Sequence, residues 1–490
     1  MDVQHPVSLK RKHHIALNSC RIILKWINSP PILNNSGSYS TIIFAIEKIR
    51  ILRKRGRAML TKSGNQKLLE FTEKNFNETI SEVTKGVWYV LGAGHSNAIF
   101  IEGATSVILV DTLDTLERGQ KLLEIIQKKT GKEVKTIFYT HGHPDHRGGA
   151  GAFLQSEPEI IAFEPENPVL EKTELLQDIQ NLRGARQFGY SLNDDEALSQ
   201  GIGPREGVNY GEHRAFVPPT TVYQQGKVIR EIDGVQVEIV RLPGEAEEQM
   251  MIWLPQKQVL CCGDNYYGCF PNLYAIRGGQ YRNLAVWVNS IDVILSYPAK
   301  YLLPGHTAAI TGNEKIREVL GNFRNALDYI LTKTLEGMNK GKSADQLAAE
   351  IHLPKEYADL PYLAEHYGCL EWTVREIYAA YLGWFDGNPT NLHPLAPEQR
   401  GQKMLDLIGG KEKALAAAQS ALQENEYQWC LELCDLLLSN DKGNMEVLRL
   451  KANALREIAE QETSANGRHY YVACAKELLE RLNGQGARED

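Results

Sequence analysis

From about residue 86 the chain is built of short runs of aliphatic and β-branched residues, with helical repeats between them. The runs 97–102 (NAIFIE) and 105–111 (TSVILVD) are bounded by Gly and predict a pair of strands. Residues 116–131 (LERGQKLLEIIQKKTG) space Leu and Ile at helical intervals and stop at Gly131, which predicts a helix. The run 135–140 (KTIFYT) is again a strand, and it leads directly into a histidine-rich loop. Further strands are predicted at 159–164, 234–242, 249–255, 258–264 and 301–306. Strands alternating with helices, with polar residues gathered at strand ends, predict an α/β domain that closes near residue 310.

Beyond that point the pattern is almost wholly helical. Residues 313–341 form one long amphipathic repeat, and 411–426, 427–441 and 444–462 follow as units that stack as helical hairpins. No ionisable cluster marks chemistry there, so packing or subunit association is the expected role. The predicted organisation is a leader over 1–60, a catalytic domain over 61–310 and a helical domain over 311–490.

Composition changes this picture in two places. A chain of 490 residues that is 43% hydrophobic and 23% charged can bury a core in each of its domains, which excludes disorder as the main reading. No uncharged apolar run approaches the ~18 residues of a bilayer span, so no integral membrane segment is expected. The net charge of −7 conceals an asymmetry. Residues 1–60 carry 11 Lys/Arg against Asp2 and Glu47, a net of +9, which leaves −16 on the rest. The acidic body argues against nucleic acid as a partner. For the basic leader two readings stay open: a targeting or membrane-surface segment, or a coding start placed upstream of a true start at Met59. Eight scattered cysteines without a CxxC pair predict free thiols and a reducing, cytoplasmic compartment. Cys430 and Cys434, one helical turn apart, are expected to be buried.

The chemistry concentrates in Thr140-His141-Gly142-His143-Pro144-Asp145-His146, four potential metal ligands within six residues at the end of a predicted strand. Imidazoles combined with a carboxylate suit zinc or a similar divalent ion. His141 and His143 can converge on one ion while Asp145 and His146 face a second. Completing two sites needs donors from other strand ends. Asp264 closes the run QVLCC, His306 follows YLLPG, and Glu245, Glu247 and Glu248 follow VEIVRL.

With this motif intact, the sequence resembles the metallo-β-lactamase superfamily, and Asp111 in ILVDT matches its early structural aspartate. The turn at 243–245 reads PGE rather than PGH, which resembles the alkylsulfatase branch. So do FIEG (100–103), VDTL (110–113), IFYTHGHPDHRGG (137–149), IRGGQYRNLAVW (276–287), AAYLGWFDGNPTNLHPL (379–395) and LIGGKEKALAAAQ (407–419). The resemblance covers roughly 86–485. It implies an αββα sandwich followed by a helical dimerisation domain, and we expect the family's sterol-carrier-like C-terminal domain to be lacking. It differs from the family in having Asp264 where Glu is usual and PGHT in place of a double-His motif.

Carried over residue by residue, the resemblance implies one ion on His141, His143 and Glu245, a second on Asp145, His146 and His306, and Asp264 between them. Glu245 is preferred over Glu247 and Glu248 by its spacing to the next strand. Asp264 and Asp145 are the implied catalytic carboxylates, and Arg277 and Asn272 the implied sulfate contacts. Trp88, Tyr266, Tyr267 and Phe270 are candidates to hold an alkyl chain. The implied activity is hydrolysis of sulfate esters, most simply linear primary alkyl sulfates, by hydroxide activated on two divalent ions, with zinc the expected metal, in a homodimer. Another superfamily hydrolase (a thioesterase or lactonase) and a non-catalytic dimeric scaffold are the alternatives.

Overall fold

The computed structural model describes residues 63–164, 172–224 and 226–486. The basic leader and Cys20 therefore lie outside the described residues.

Among the described residues thirteen strands form two sheets. The first runs in chain order through β1 (Thr79–Thr84), β2 (Val87–Leu91), β3 (Ala98–Glu102), β4 (Val107–Val110), β5 (Val134–Phe138), β6 (Glu159–Phe163) and β7 (Thr221–Tyr223). The second contains β8 (Lys227–Ile232), β9 (Val235–Arg241), β10 (Met250–Leu254), β11 (Val259–Gly263), β12 (Tyr301–Pro304) and β13 (Ile310–Thr311), in the order β13-β12-β11-β10-β9-β8. Pairing is antiparallel through β1–β4 and parallel from β4 to β7; in the second sheet only β11 and β12 run parallel.

The period-two alternation of each strand explains the layering. Ile99, Ile101, Ile108, Val110 and Phe138 of the first sheet meet Val237, Ile239, Ile252 and Cys261 of the second in one buried core. The alternate residues Phe100, Val107, Leu109 and Ile137 face outward onto Leu122 and Ile126, four residues apart on the helix Leu116–Thr130. On the far side, Met251, Trp253, Leu260 and Cys262 pack under the helices Leu284–Ser296 and Asn313–Met338. Both faces of the central strands are thus covered, which is why they read as continuous apolar runs. Each such side chain contributes about 2 kcal/mol by leaving water, so this double sheet is the rigid base for its own strand ends.

The helix Asn313–Met338 shares the outer core of the second sheet through Ile316, Leu320, Phe323 and Leu327. The helix Leu370–Leu382 joins the same core. The helices Lys411–Gln423, Tyr427–Leu438, Met445–Gln461 and Ala465–Gly486 build a separate core rich in Ala, with Cys430 and Cys434 inside it. Among the described residues all seven cysteines are free.

One contact fixes the segment after the metal-type loop against the helix that covers the first sheet. Gly119, on the helix Leu116–Thr130, lies so close to Gly149 that a Cβ there would stand 2.3 Å from the Gly149 carbonyl oxygen. Gly119→Ala would gain about 1 kcal/mol of helix propensity on an isolated helix. Here we expect it to destabilise the protein by about 2 kcal/mol through overpacking, measured as a lower urea midpoint at unchanged slope; a raised midpoint would overturn the close-packing account.

Candidate metal centre

The site begins with Asp111, which ends β4 in the left-handed region at φ 61°, a conformation that strains a non-glycine residue. Its amide donates to the Phe138 carbonyl, so β4 stays in register with β5 to the last residue. One carboxylate oxygen accepts the Thr140 amide at 2.8 Å; the other accepts the Thr140 hydroxyl at 2.8 Å and faces His146 Nδ1 at 2.8 Å. The Thr112 amide donates to the His146 carbonyl, closing the loop from the other side.

This arrangement aims His146 Nε2 inward, 3.3 Å from Asp145 Oδ2 and 3.4 Å from Asp264 Oδ2. His306 is aimed in the same way: its Nδ1 meets the His95 carbonyl at 3.1 Å, and its Nε2 lies 3.4 Å from Asp145 and 3.2 Å from Asp264. His141 has Nδ1 against the Thr140 hydroxyl at 3.1 Å, leaving Nε2 at 3.8 Å from Asp264 and 2.9 Å from His143 Nδ1. Glu245 Oε1 is 3.9 Å from His143 Nδ1. Gly305 permits the tight approach of Asp264, since a Cβ there would fall 2.2 Å from its Oδ1.

Three triads of donors emerge: His141 with His146 and Asp264, Asp145 with His146 and His306, and His143 with Glu245 and Asp264. Asp264 belongs to two of them, the placement expected of a carboxylate between two ions. Glu247 and Glu248 are engaged elsewhere. Glu247 lies 3.7 Å from Arg241, and Glu248 accepts the Gly142 amide at 2.8 Å.

The electrostatics are those of a buried donor set. Burial pushes His141 down to about 3. Burial likewise pushes Glu245 up to about 8, against the opposing charge of Arg282. Burial also opposes the charged form of His306, but Asp264 and Asp145 raise it to about 9. Burial alone would raise Asp264, and His306, His146 and His141 outweigh it and hold its carboxyl well below the usual range. His146 Nε2, His306 Nε2, Asp264 Oδ1 and Glu245 Oε2 are buried without any hydrogen-bond partner. Such orphaned atoms are costly unless a cation completes them, so the residues present fit divalent metal.

Two cavities, of about 540 and 620 Å³, share His143, Glu245 and Arg277 as walls. The first also holds Tyr139, Phe163, Pro219, Tyr281 and Val286; the second holds Asp145, Asp264, Phe188, Tyr190, Ile202 and Tyr367. Tyr367 arrives on a segment of the helical part that docks through Phe270 N to Ala364 O at 2.9 Å and Gly368 N to Phe270 O at 3.1 Å. The aromatic residues expected to hold an alkyl chain do not line either cavity. Trp88 stacks on Phe100, Tyr266 sits edge-on to Phe323, and Tyr267 and Phe270 are fully buried, because the segment after β11 turns under the helical layer. Asn272 is also off both cavity walls. Its amide N–H donates to the Tyr267 hydroxyl and its carbonyl accepts from Arg282.

Arg282 and His95 were not singled out by sequence reasoning. Arg282, whose side chain is 10% exposed, binds Glu245 at 2.6 Å, and His95 Nε2 approaches Asp145 at 3.9 Å. The segment 276–287 that carries Arg282 was legible as a motif, but its pairing with a residue 37 positions earlier was not.

Sequence models of two families match the chain: the metallo-beta-lactamase superfamily over residues 91–306 and alkyl sulfatase dimerisation over 343–481. A linear primary-alkylsulfatase from Pseudomonas sp. (strain ATCC 19151) is 33% identical over 402 residues, covering 79% of this chain and 75% of the relative. The chain belongs to the alkylsulfatase family. An alkyl/aryl-sulfatase from Saccharomyces cerevisiae is 30% identical over 426 residues, 84% of this chain and 66% of the relative. The solved stereoselective inverting sec-alkylsulfatase from Pseudomonas sp. superimposes with a TM-score of 0.78 at 28% identity, over 84% of this chain and 67% of that one. As an alkylsulfatase it is a hydrolase with the metallo-β-lactamase sandwich followed by a helical dimerisation domain, and the superfamily implies divalent metal at the donor cluster described above.

Asp111→Asn tests the strand-end clamp. Facing His146 Nδ1 with an amide N–H would favour the tautomer that carries its proton on Nε2, the atom needed for metal. We expect bound metal to fall, with affinity lower by about 10- to 100-fold, read by elemental analysis and metal titration. Unchanged metal affinity would remove Asp111 from the site.

Proposed function

We propose that this chain hydrolyses sulfate esters, linear primary alkyl sulfates foremost, with two divalent ions that we assign as zinc. The observation that carries the proposal is the convergence of six metal-type donors around a seventh, Asp264, at the seam where Arg277 walls both cavities. His141, His143 and Glu245 would hold one ion and Asp145, His146 and His306 the other, with Asp264 shared between them. When bound, the ions supply Lewis-acid activation of water and charge neutralisation.

The chain's own residues do the rest. Asp264, whose carboxylate belongs to two of the donor triads, would take the proton of an attacking water. Asp111 and the His95 carbonyl keep His146 and His306 oriented through their Nδ1 atoms, and Arg282 fixes Glu245. Arg277 presents a planar fork to the tetrahedral sulfate anion, a match that lysine cannot make. Tyr139, Phe163, Tyr281 and Val286 provide an apolar wall for the alkyl chain.

The test is free sulfate released from esters of increasing chain length, beside thioester and lactone panels. We expect sulfate release that is lost on chelation, and Arg277→Ala raising KM for sulfate esters about tenfold with metal content unchanged. Turnover of thioester or lactone with no sulfate from any ester would overturn the assignment.

We assign a second copy of this chain as partner. Residues 379–384 and 387–400 are solvent-exposed, and the surface over 381–407 carries Leu382, Trp384 (75% exposed), Leu392, Leu395 and Leu407 (80% exposed). A patch of this apolar character calls for a protein partner. Trp384→Glu with Leu407→Glu should convert a dimer to a monomer in light scattering; a retained dimer would place the interface elsewhere. Among the described residues no helix is long and apolar enough to cross a membrane. A cytoplasmic setting is our reading of the scattered cysteines, which form no CxxC pair.

A further inference from the structure

Arg277 sits in a connection, residues 264–283, that forms neither helix nor strand, and Gly278 beside it takes φ 103°. A guanidinium on such a segment would have to be ordered at each binding event, at a cost in affinity. The structure supplies a fastening. The helix Gln177–Gln187 grips the connection at two adjacent residues: Arg183 donates to the Ile276 carbonyl at 2.5 Å, and the Arg277 amide donates to Gln187 Oε1 at 2.8 Å. Phe188, next in the chain, lies under the Arg277 guanidinium at 5.5 Å.

That helix is short and polar, and Ile179 and Leu182 are exposed, so it cannot be held by an apolar face of its own. It is held from outside by the helix Ala465–Gly486. Arg186 makes a paired ion bridge to Glu477 at 2.9 and 2.5 Å, and His469 Nδ1 contacts the Gln187 carbonyl at 3.1 Å. Gln187 and His469 are both fully buried.

We infer that Gln187 is a positioning residue for Arg277, and that the last helix of the dimerisation region sets the geometry of the sulfate subsite through it. The inference rests on the assignment of Arg277 to the sulfate group. The sulfate oxygens carry their charge before and during the reaction, so a displaced Arg277 weakens substrate and transition state alike. The loss appears in KM rather than kcat.

A double-mutant cycle on the metal-loaded dimer tests this. Gln187→Leu should raise KM for an alkyl sulfate about tenfold and leave kcat within about twofold, with metal content unchanged. In an Arg277→Ala background the same substitution should have no further effect on KM. Glu477→Gln, at the solvent edge of the clamp, serves if Gln187→Leu does not fold; it should raise KM about twofold to threefold, again only while Arg277 is present. Equal effects with and without Arg277, or no effect on KM at all, would overturn the positioning role. Arg277→Ala leaving KM unchanged would instead remove the sulfate assignment on which it rests.

Discussion

The carboxylate of Asp111 is the interaction on which the rest of the site depends. It stands at the end of β4 in a strained conformation, and its two oxygens engage Thr140 and His146 on the neighbouring strand and loop. The cost of that backbone strain, of order 1–3 kcal/mol, is met by the two sheets, whose shared core leaves β4 and β5 no freedom to slip. A rigid double sheet therefore delivers its stiffness to one atom, His146 Nε2, and through Asp264 to the donors around it.

The same logic, rigid element first and functional side chain second, extends to the outer parts. Asp264 and His306 stand just beyond the ends of β11 and β12, which run parallel and so bring both to one edge. Glu245 leaves β9 on the same edge. Arg277 has no strand behind it and needs a helix, itself anchored by another helix, to do the work that sheets do for the metal donors. The metal donors and the sulfate contact are thus held by different kinds of scaffold.

This difference decides what was legible in the sequence. The strands were readable because burial on both faces writes an uninterrupted apolar run, and the donors were readable because they follow those runs. Asp111 and the motif at 141–146 could be found for that reason. β1 and β8, half exposed at the sheet edges, left no such mark. Nor did the helix Gln177–Gln187, which turns two of its apolar residues outward and is held by pairings to residues about 90 and 290 positions away. Spacing preferred Glu245 over Glu247 and Glu248, but the contacts that engage Glu247 with Arg241 and Glu248 with the Gly142 amide are invisible to it. The aromatic residues after β11 misled because an apolar side chain beside a strand end reads the same whether it faces a cavity or a core.

The docking of residues 364–368 beside Phe270 bears on how the molecule is made. All thirteen described strands and all seven metal-type donors precede Asn313, so the sequence of the metal centre is complete before the helical part begins. Tyr367 is not yet there, and the helix whose Ala465 amide holds the His366 carbonyl comes later still. The donors and the lining of the first cavity all come from residues up to His306, whereas the second cavity is closed by Tyr367. A chain cut short before Tyr367 would keep every donor and the lining of the first cavity but would lack one wall of the second.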